Sequence, residues 1–589
     1  MALDECKDFK GRYIIYVKAG IYAKLVNIDL MYGGGPTKTI VTGNKSYGDG
    51  IKTMRTATFI QSPKGVNNNN NGGELKTSNR AVTALCQGSD DQKLCHEVLS
   101  SSNSTDPKEY IATVVRTSMD SVIKAFNMSD RLTVEHGNSS AGMKMALEDC
   151  KDLLQSAIHD LEASGVLVKE SSLQDVHQRT AELKNWLGAV VAYQQSCLDG
   201  FDTDGEKKVQ EQLQSGSLDN VGKLTGLALD VVSGISHILQ SLDLNLALKP
   251  ASRRLLEVDQ EGYPTWVSAA DRKLLAQLND GAVLPHATVA KDGSGQFTTV
   301  LDAINSYPKK HQGRYIIYVK AGIYDEYITV DKKKPNLFIY GDGPTNTIIT
   351  GRKNFHEATV AEDFMAKSIA FENTAGAEGH QAVALRVQGD RSVFFDCAMR
   401  GYQDTLYAHA HRQFYRNCEI SGTIDFIFGY STTLIQNSKI LVRKPMANQQ
   451  NIVVADGTGQ KNMPTGIVLH NCEIMPDPTL LADRLSVKTY LARPWKAFSR
   501  AVFIENVIGD LIQPDGYIPW NPIEPNTQDC YFAEFGNTGP GSVAQARAKF
   551  GKGLISKQEA AQFTAEPWLQ ASTWLPAAGV PFDASFTKA

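Results

Sequence analysis

Two acids and two amides recur at almost one interval. Gln381 to Gln403 is 22 residues and Asp404 to Asp425 is 21. They lie in three short pieces, Gly379-His-Gln-Ala-Val-Ala-Leu-Arg386, Gly401-Tyr-Gln-Asp-Thr-Leu-Tyr407 and Gly422-Thr-Ile-Asp-Phe-Ile-Phe-Gly429. An ionised Asp attacks an ester carbonyl and forms a covalent intermediate when a cation holds it in place. Arg493, in Leu491-Ala-Arg-Pro-Trp-Lys496, suits that task, because a guanidinium grips a carboxylate with two parallel bonds and favours its charge. Two neighbouring acids cannot easily both ionise, so one starts protonated and can serve a departing alcohol. Side-chain N–H groups of Gln403 and Gln381 suit a developing oxyanion, worth roughly 3 to 4 kcal/mol per donor. The set predicts ester hydrolysis with Asp425 as nucleophile and Asp404 as acid and then base, with no metal or cofactor.

These residues must be brought together by stacked coils. An interval of 21 or 22 residues matches one turn of a solenoid whose strands lie about 4.8 Å apart. An apolar phrase closing on Asn or Asp marks the same repeat: Ile369 to Asn373, Val393 to Asp396, Phe414 to Asn417, Leu434 to Asn437, Val468 to Asn471 and Val502 to Asn506. The closing residues are 23, 21, 20, 34 and 35 apart, so the last two coils carry insertions. Strand alternation is too loose for a sandwich, and no long amphipathic helix intervenes. The expected fold here is an all-β right-handed parallel β-helix over about 286 to 540. His409 and His411 have no third ligand at usable spacing and no Gly-x-Ser-x-Gly elbow beside them, so both read as surface or structural.

The three pieces resemble the plant pectin methylesterases, in the long form that carries an inhibitor-like domain before the catalytic one. Val289-Ala-Lys-Asp-Gly-Ser-Gly-Gln-Phe-Thr-Thr-Val300 and Leu491 to Lys496 belong to the same resemblance, which covers nearly all of 80 to 589. It implies that Asp425 is the nucleophile, Asp404 the acid/base and Gln403 the oxyanion stabiliser, and that Gln381, Arg493 and Trp495 contact substrate. It implies methyl-esterified pectin as the partner and secretion to the cell wall. Tyr402, Tyr407 and Phe428 are further aromatics able to stack on sugar rings or receive the methyl group.

Before the coils lies a helical region. Glu109 to Phe126, Met143 to Ala163, Leu173 to Cys197 and Val221 to Leu242 show apolar residues at three- and four-residue spacing, which predicts an all-α four-helix bundle. It is similar to the invertase and pectin methylesterase inhibitor fold, which implies disulfides among Cys86, Cys95, Cys150 and Cys197. Cys397 and Cys418 are 21 residues apart, so they are either bonded on neighbouring coils or paired as buried thiols. With nine cysteines in all, at least one is unpaired. Sequons stand at Asn103, Asn127 and Asn138.

At 589 residues with a net charge of -4, the chain calls for several domains and offers nothing to nucleic acid. The expected division is 1–60, 61–79, 80–248, 249–285 and 286–589. Gly11 to Tyr22 returns letter for letter as Gly313 to Tyr324, so 1–60 reads as a displaced partial duplicate. Asn67 to Gly73 reads as a low-complexity linker. Comparison of the copies shows seven residues fewer at 352–357 than at the matching Asn44 to Thr56. The family's substrate-contacting Thr falls on Thr53. Arg253-Arg254 and Arg272-Lys273, in 249–285, are expected cleavage points for a processing protease. The start of the chain shows no apolar stretch of the kind a signal peptide or membrane anchor needs.

The leading expectation is therefore an esterase of galacturonate methyl esters held by an intramolecular inhibitor-like domain. The alternatives are a catalytically impaired pectin-binding protein, disabled by the 352–357 gap, and a helical half that inhibits other esterases in trans.

Overall fold

A computed structural model describes residues 81–234, 284–353 and 361–588, apart from positions 103, 105, 138 and 202. The 1–60 segment with Thr53, the 61–79 linker, the end of the fourth expected helix, the sequons at Asn103 and Asn138, and Arg253, Arg254, Arg272 and Lys273 lie outside the described residues. Asn127 is exposed on a helix.

The helices begin where short polar side chains meet unpaired N–H groups. Asp106 accepts from Lys108 N ahead of helix Pro107–Glu135, with proline in its first turn. Ser140 accepts from Met143 N at the start of Ala141–Glu170, and Ser172 forms a capping box with Asp175. The expected helix from Leu173 to Cys197 is two, Leu173–Gln178 and Thr180–Asp199. Apolar spacing runs through the break because Val176, Leu183 and Leu187 all face one core. A further helix, Asp204–Leu213, leads through a π-turn at Gln214–Leu218 into Asp219–Ser233. Each leucine or valine fully buried here contributes about 1.5 to 3 kcal/mol. Disulfides join Cys86 to Cys95 and Cys150 to Cys197, the second tying Ala141–Glu170 to Thr180–Asp199.

From Ala287 onward the chain winds into three parallel sheets of eleven, eight and five strands. The eleven-stranded sheet ends at Gly553–Leu554, somewhat beyond the expected 540. Hydrogen-bonded neighbours come from successive coils, as in Phe414 opposite Val393 and Leu434. This is a parallel β-helix, and the recurring phrase has a backbone cause. Asp396, Asn417, Asn437 and Asn471 have φ between 51° and 53°, the left-handed region that Asn and Asp tolerate best. Each directly follows a strand of the large sheet and turns the chain into the next one. Two of the six phrases depart from this: Glu505 rather than Asn506 adopts the turn, and the phrase Ile369 to Asn373 lies on the eight-stranded sheet, with the left-handed corner at Ser368 just before it.

Inside the coils, Phe394 stacks on Tyr415 at 4.9 Å. Outside the large sheet a second apolar ladder, including Phe338, Val393, Phe414, Leu434 and Val468, is covered by the C-terminal segment through Leu569, Trp574 and Leu575. Both faces of those strands are buried, which explains their loose alternation. Cys397 and Cys418 are separate buried thiols, so the disulfide considered for them does not form. Burial raises the Cys397 thiol to about 12, and apolar surroundings leave such a group inert. Among the described residues no helix is long and apolar enough to cross a membrane.

Candidate active site

The candidate residues stand on or beside the five-stranded sheet. Its strands Leu385–Val387, Leu406–Ala408 and Ile427–Gly429 pair in register, Leu385 with Leu406 and Leu406 with Ile427. Asp404 and Asp425 each stand two residues before those partners, so they occupy equivalent positions on adjacent coils. Gln381 bridges to Gln403 one coil apart, Ala382 N donates to Gln403 O at 3.2 Å, and Asp404 N donates to Ile424 O at 3.0 Å. Both acids have left-handed φ, 62° at Asp404 and 50° at Asp425, a conformation that costs most non-glycine residues about 1 to 2 kcal/mol. The glycines that frame the pieces allow close approach. A Cβ on Gly422 would lie 2.2 Å from Phe426 Cβ, and one on Gly429 1.9 Å from Ala408 O.

Arg493 follows strand Thr489–Ala492 and reaches Asp425 with two bonds. Its Nε donates to Oδ1 at 2.8 Å, and its Nη2 donates to Oδ2. The guanidinium lies 4.2 Å from the centre of the Trp520 ring. Asp404 and Asp425 are buried, whereas Gln381 is exposed and Gln403, Arg493 and Trp495 are half-buried. Burial, reinforced by the charge of Asp425, pushes Asp404 well above the usual carboxylate range, with Arg493 opposing. Burial also raises Asp425, but there Arg493 pulls back through both charge and hydrogen bonds. Position on the coil therefore makes Asp404 the stronger proton holder of the pair.

An aromatic row runs past the acids. Tyr407 stacks on Phe428 at 4.4 Å, Phe428 is 5.8 Å from Trp495, and Trp495 is 4.7 Å from Tyr430 and 6.3 Å from Trp520. Tyr402 takes the other side, under the Arg443 guanidinium at 4.1 Å. Trp520, Tyr430 and Arg386 were not singled out from sequence. Trp520 lies on a loop without a repeat, but Arg386 closes the first of the three pieces and was legible there.

The Pectinesterase family model matches residues 2–98 and 286–572. The chain belongs to the pectinesterase family. A second model, plant invertase/pectin methylesterase inhibitor, matches residues 80–231. Pectinesterase 4 of Arabidopsis thaliana is 39% identical over 576 residues, spanning 87% of this chain and 95% of that protein. A pectinesterase/pectinesterase inhibitor of Brassica campestris is 40% identical over 551 residues, spanning 86% and 95%. Among solved structures, pectin methylesterase from carrot is 41% identical with a TM-score of 0.50, covering 52% of this chain and 99% of that one.

In this pectinesterase the helical region rests on the aromatic row. Ala410, Tyr430 and Met463 share the core of the helices, and Tyr407 and Trp495 pack against it. Ser196 bonds the Tyr407 hydroxyl and His409 Nε2, each at 2.7 Å. Asn185 meets His411 Nδ1 at 3.1 Å, and Asp160 pairs with His411 at 3.2 Å. His409 and His411 are thus buried in this contact and are not surface residues. Of the two readings, surface or structural, the structural one holds, and the helices that make it so are not visible in the spacing of the two histidines.

Proposed function

We propose that this pectinesterase hydrolyses galacturonate methyl esters through Asp425 and Asp404. The carboxylate of Asp425 attacks the ester carbonyl carbon and the carbonyl π pair moves to oxygen. The oxyanion is met by side-chain N–H groups of Gln403 and Gln381. Its collapse breaks the bond to the methoxy oxygen, which takes the proton of Asp404 and leaves as methanol. Water then adds to the acyl intermediate and gives its proton back to Asp404. Departure of ionised Asp425 frees the galacturonic acid, whose remaining water-derived proton passes to solvent and leaves the carboxylate. Trp495 stacks on a sugar ring beside the ester.

The observation that carries this reading is the two-bonded grip of Arg493 on Asp425 one coil from Asp404. An acid so held keeps its charge and aim despite burial. The helical region is read as an intramolecular inhibitor, since it covers Tyr407, Tyr430 and Trp495. Release would follow cleavage near Arg253-Arg254 or Arg272-Lys273, on the way to the cell wall. The 1–60 segment is read as a displaced copy of catalytic coils. The test is methanol release from methylated pectin by the isolated 276–589 fragment. Release supports the reading. A folded fragment that releases none favours the impaired protein, with the 352–357 gap as cause.

A further inference from the structure

The segment that carries Trp495 is tied to one turn of the preceding coil. Strand Asn451–Asp456 pairs with Ile427–Gly429, Gly429 opposite Asp456, and ends in the turn Asp456-Gly457-Thr458. Trp495 N donates to Asp456 O at 3.2 Å, Ser499 Oγ donates to the same oxygen at 2.7 Å, and Phe498 N donates to Thr458 O at 3.0 Å. Arg500 N donates to Asp456 Oδ1 at 2.6 Å, beside Thr458 N at 3.0 Å. Gly457 lies so close to the aromatic row that a Cβ there would stand 2.5 Å from the Tyr430 ring and 3.0 Å from the Trp495 ring. Asp456 alone thus accepts from both ends of Trp495–Arg500, with its main chain at one end and its side chain at the other.

A carboxylate is a costly clamp here. Asp456 is fully buried, its Oδ2 has no hydrogen-bond partner among the described residues, and the Arg500 guanidinium donates to Met463 O and Thr465 O. An uncompensated buried charge costs stability, so an amide of the same shape would serve a mere scaffold better. A perturbed acid beside a candidate site points to a role in that site. We propose that Asp456 is a positioning residue, that its carboxylate holds Trp495–Arg500 so that the Trp495 ring lies where the sugar chain passes, and that protonation slackens the hold. The proposal rests on the esterase reading above and deepens it. Burial pushes the Asp456 carboxyl up to about 6, against the opposing bonds from Arg500 N and Thr458. A proton on Oδ2 would meet no acceptor and would draw charge from Oδ1, which accepts from Arg500 N. The groups facing Asp456 are Arg500, from strand Arg500–Ile504, and Tyr430, from the end of the preceding coil. Lys184 and Tyr531 face Arg500 in turn, and Lys184 belongs to the helical region.

The experiment uses the 276–589 fragment, which can be taken alone because its two cores contain no residue of the helical region and the carrot enzyme is matched over 99% of its length by 52% of this chain. Trp495 fluorescence, isolated as the difference between the fragment and its Trp495→Phe variant, should change in one step centred near pH 6. Asp456→Asn should abolish the step and hold the signal at its acidic value. In methanol release from methylated pectin at neutral pH, Asp456→Asn should raise KM about three- to tenfold with kcat within about twofold of the parent. In mildly acidic buffer the two should converge. Ser499→Ala, which removes one bond to Asp456 O without a change of charge, should raise KM at both pH values and keep the fluorescence step. Because the Asp456 carboxyl is raised, its contribution to stability is lost as pH rises through about 6, so Asp456→Asn should leave Tm equal or higher at neutral pH. A fluorescence step that survives Asp456→Asn, or a lower Tm with kcat and KM impaired alike at both pH values, overturns the proposal. A step lost in Asp456→Asn, from a parent fragment that releases no methanol, would uphold the positioning of Trp495 and overturn the esterase reading.

Discussion

Arg493 and Asp425 are 68 residues apart in sequence and joined by two hydrogen bonds, one of them 2.8 Å from Nε to Oδ1. The guanidinium is itself fixed, lying 4.2 Å from the Trp520 ring. A nucleophile in a buried site needs both charge and direction, and in the proposed reaction this pair supplies both. Arg493→Lys keeps the charge but loses the planar fork. It should lower kcat by roughly 10²- to 10³-fold with a smaller change in KM, measured as methanol release by the 276–589 fragment.

The pH profile follows from the same pair. Burial raises Asp425, and Arg493 limits the rise, so Arg493→Ala should move the acid limb of kcat/KM to higher pH. Asp404, raised well above its usual range by burial and by Asp425, should set the alkaline limb. Asp425→Asn removes that neighbouring charge and should lower the titration of Asp404, followed by carboxyl resonances. An unmoved titration would separate the two acids.

Asp404 also links pH to stability. Its folded pKa is above the unfolded value, so its contribution is fully present below the unfolded carboxylate range and is lost as pH rises through the folded value. Asp404→Asn should therefore raise Tm at neutral pH, with the gain vanishing in acid. Thermal melts across that range check the sign.

Docking of the helical region should loosen as pH rises above the free histidine range, while below that range His409, lowered by its burial against Ser196 and Tyr193, acts in the opposite sense. Burial works against protonation of His411, but the charge and hydrogen bond of Asp160, aided by Asp390 and Glu362, raise it overall. Asn185 and Tyr193 complete its surroundings from the helices. The docking energy is present below the free histidine pKa, about 6.5, and lost as pH passes the docked value. Lys332, lowered by burial, acts in the opposite sense in the lysine range. After linker cleavage, dissociation should quicken between mildly acidic and mildly alkaline buffer, and His411→Gln should flatten that dependence.

The coils were legible because one turn of the backbone demands one residue type. The left-handed corners at Asp396, Asn417, Asn437 and Asn471 print Asn or Asp into the sequence at coil spacing, and the acids of the site share the habit. What was not legible depends on contacts between regions. His409 and His411 carry no sign of the helices that cover them, and the break at Arg179 is hidden because both pieces bury the same apolar stripe. The spacing of Cys397 and Cys418 left a bond and a ladder of buried thiols both open, and their positions hold the second, two thiols inside the core.

Gln403→Ala should cost roughly 10²- to 10³-fold in kcat by removing one donor to the oxyanion. A change confined to KM would make Gln403 a binding residue only.

The most direct measurement is methanol release by the 276–589 fragment carrying Asp425→Asn, which keeps the shape of the side chain and removes the attacking charge. The account predicts a loss of about 10⁴-fold or more with folding and pectin binding intact. A variant that retains activity within about tenfold of the parent would show that another group attacks the ester.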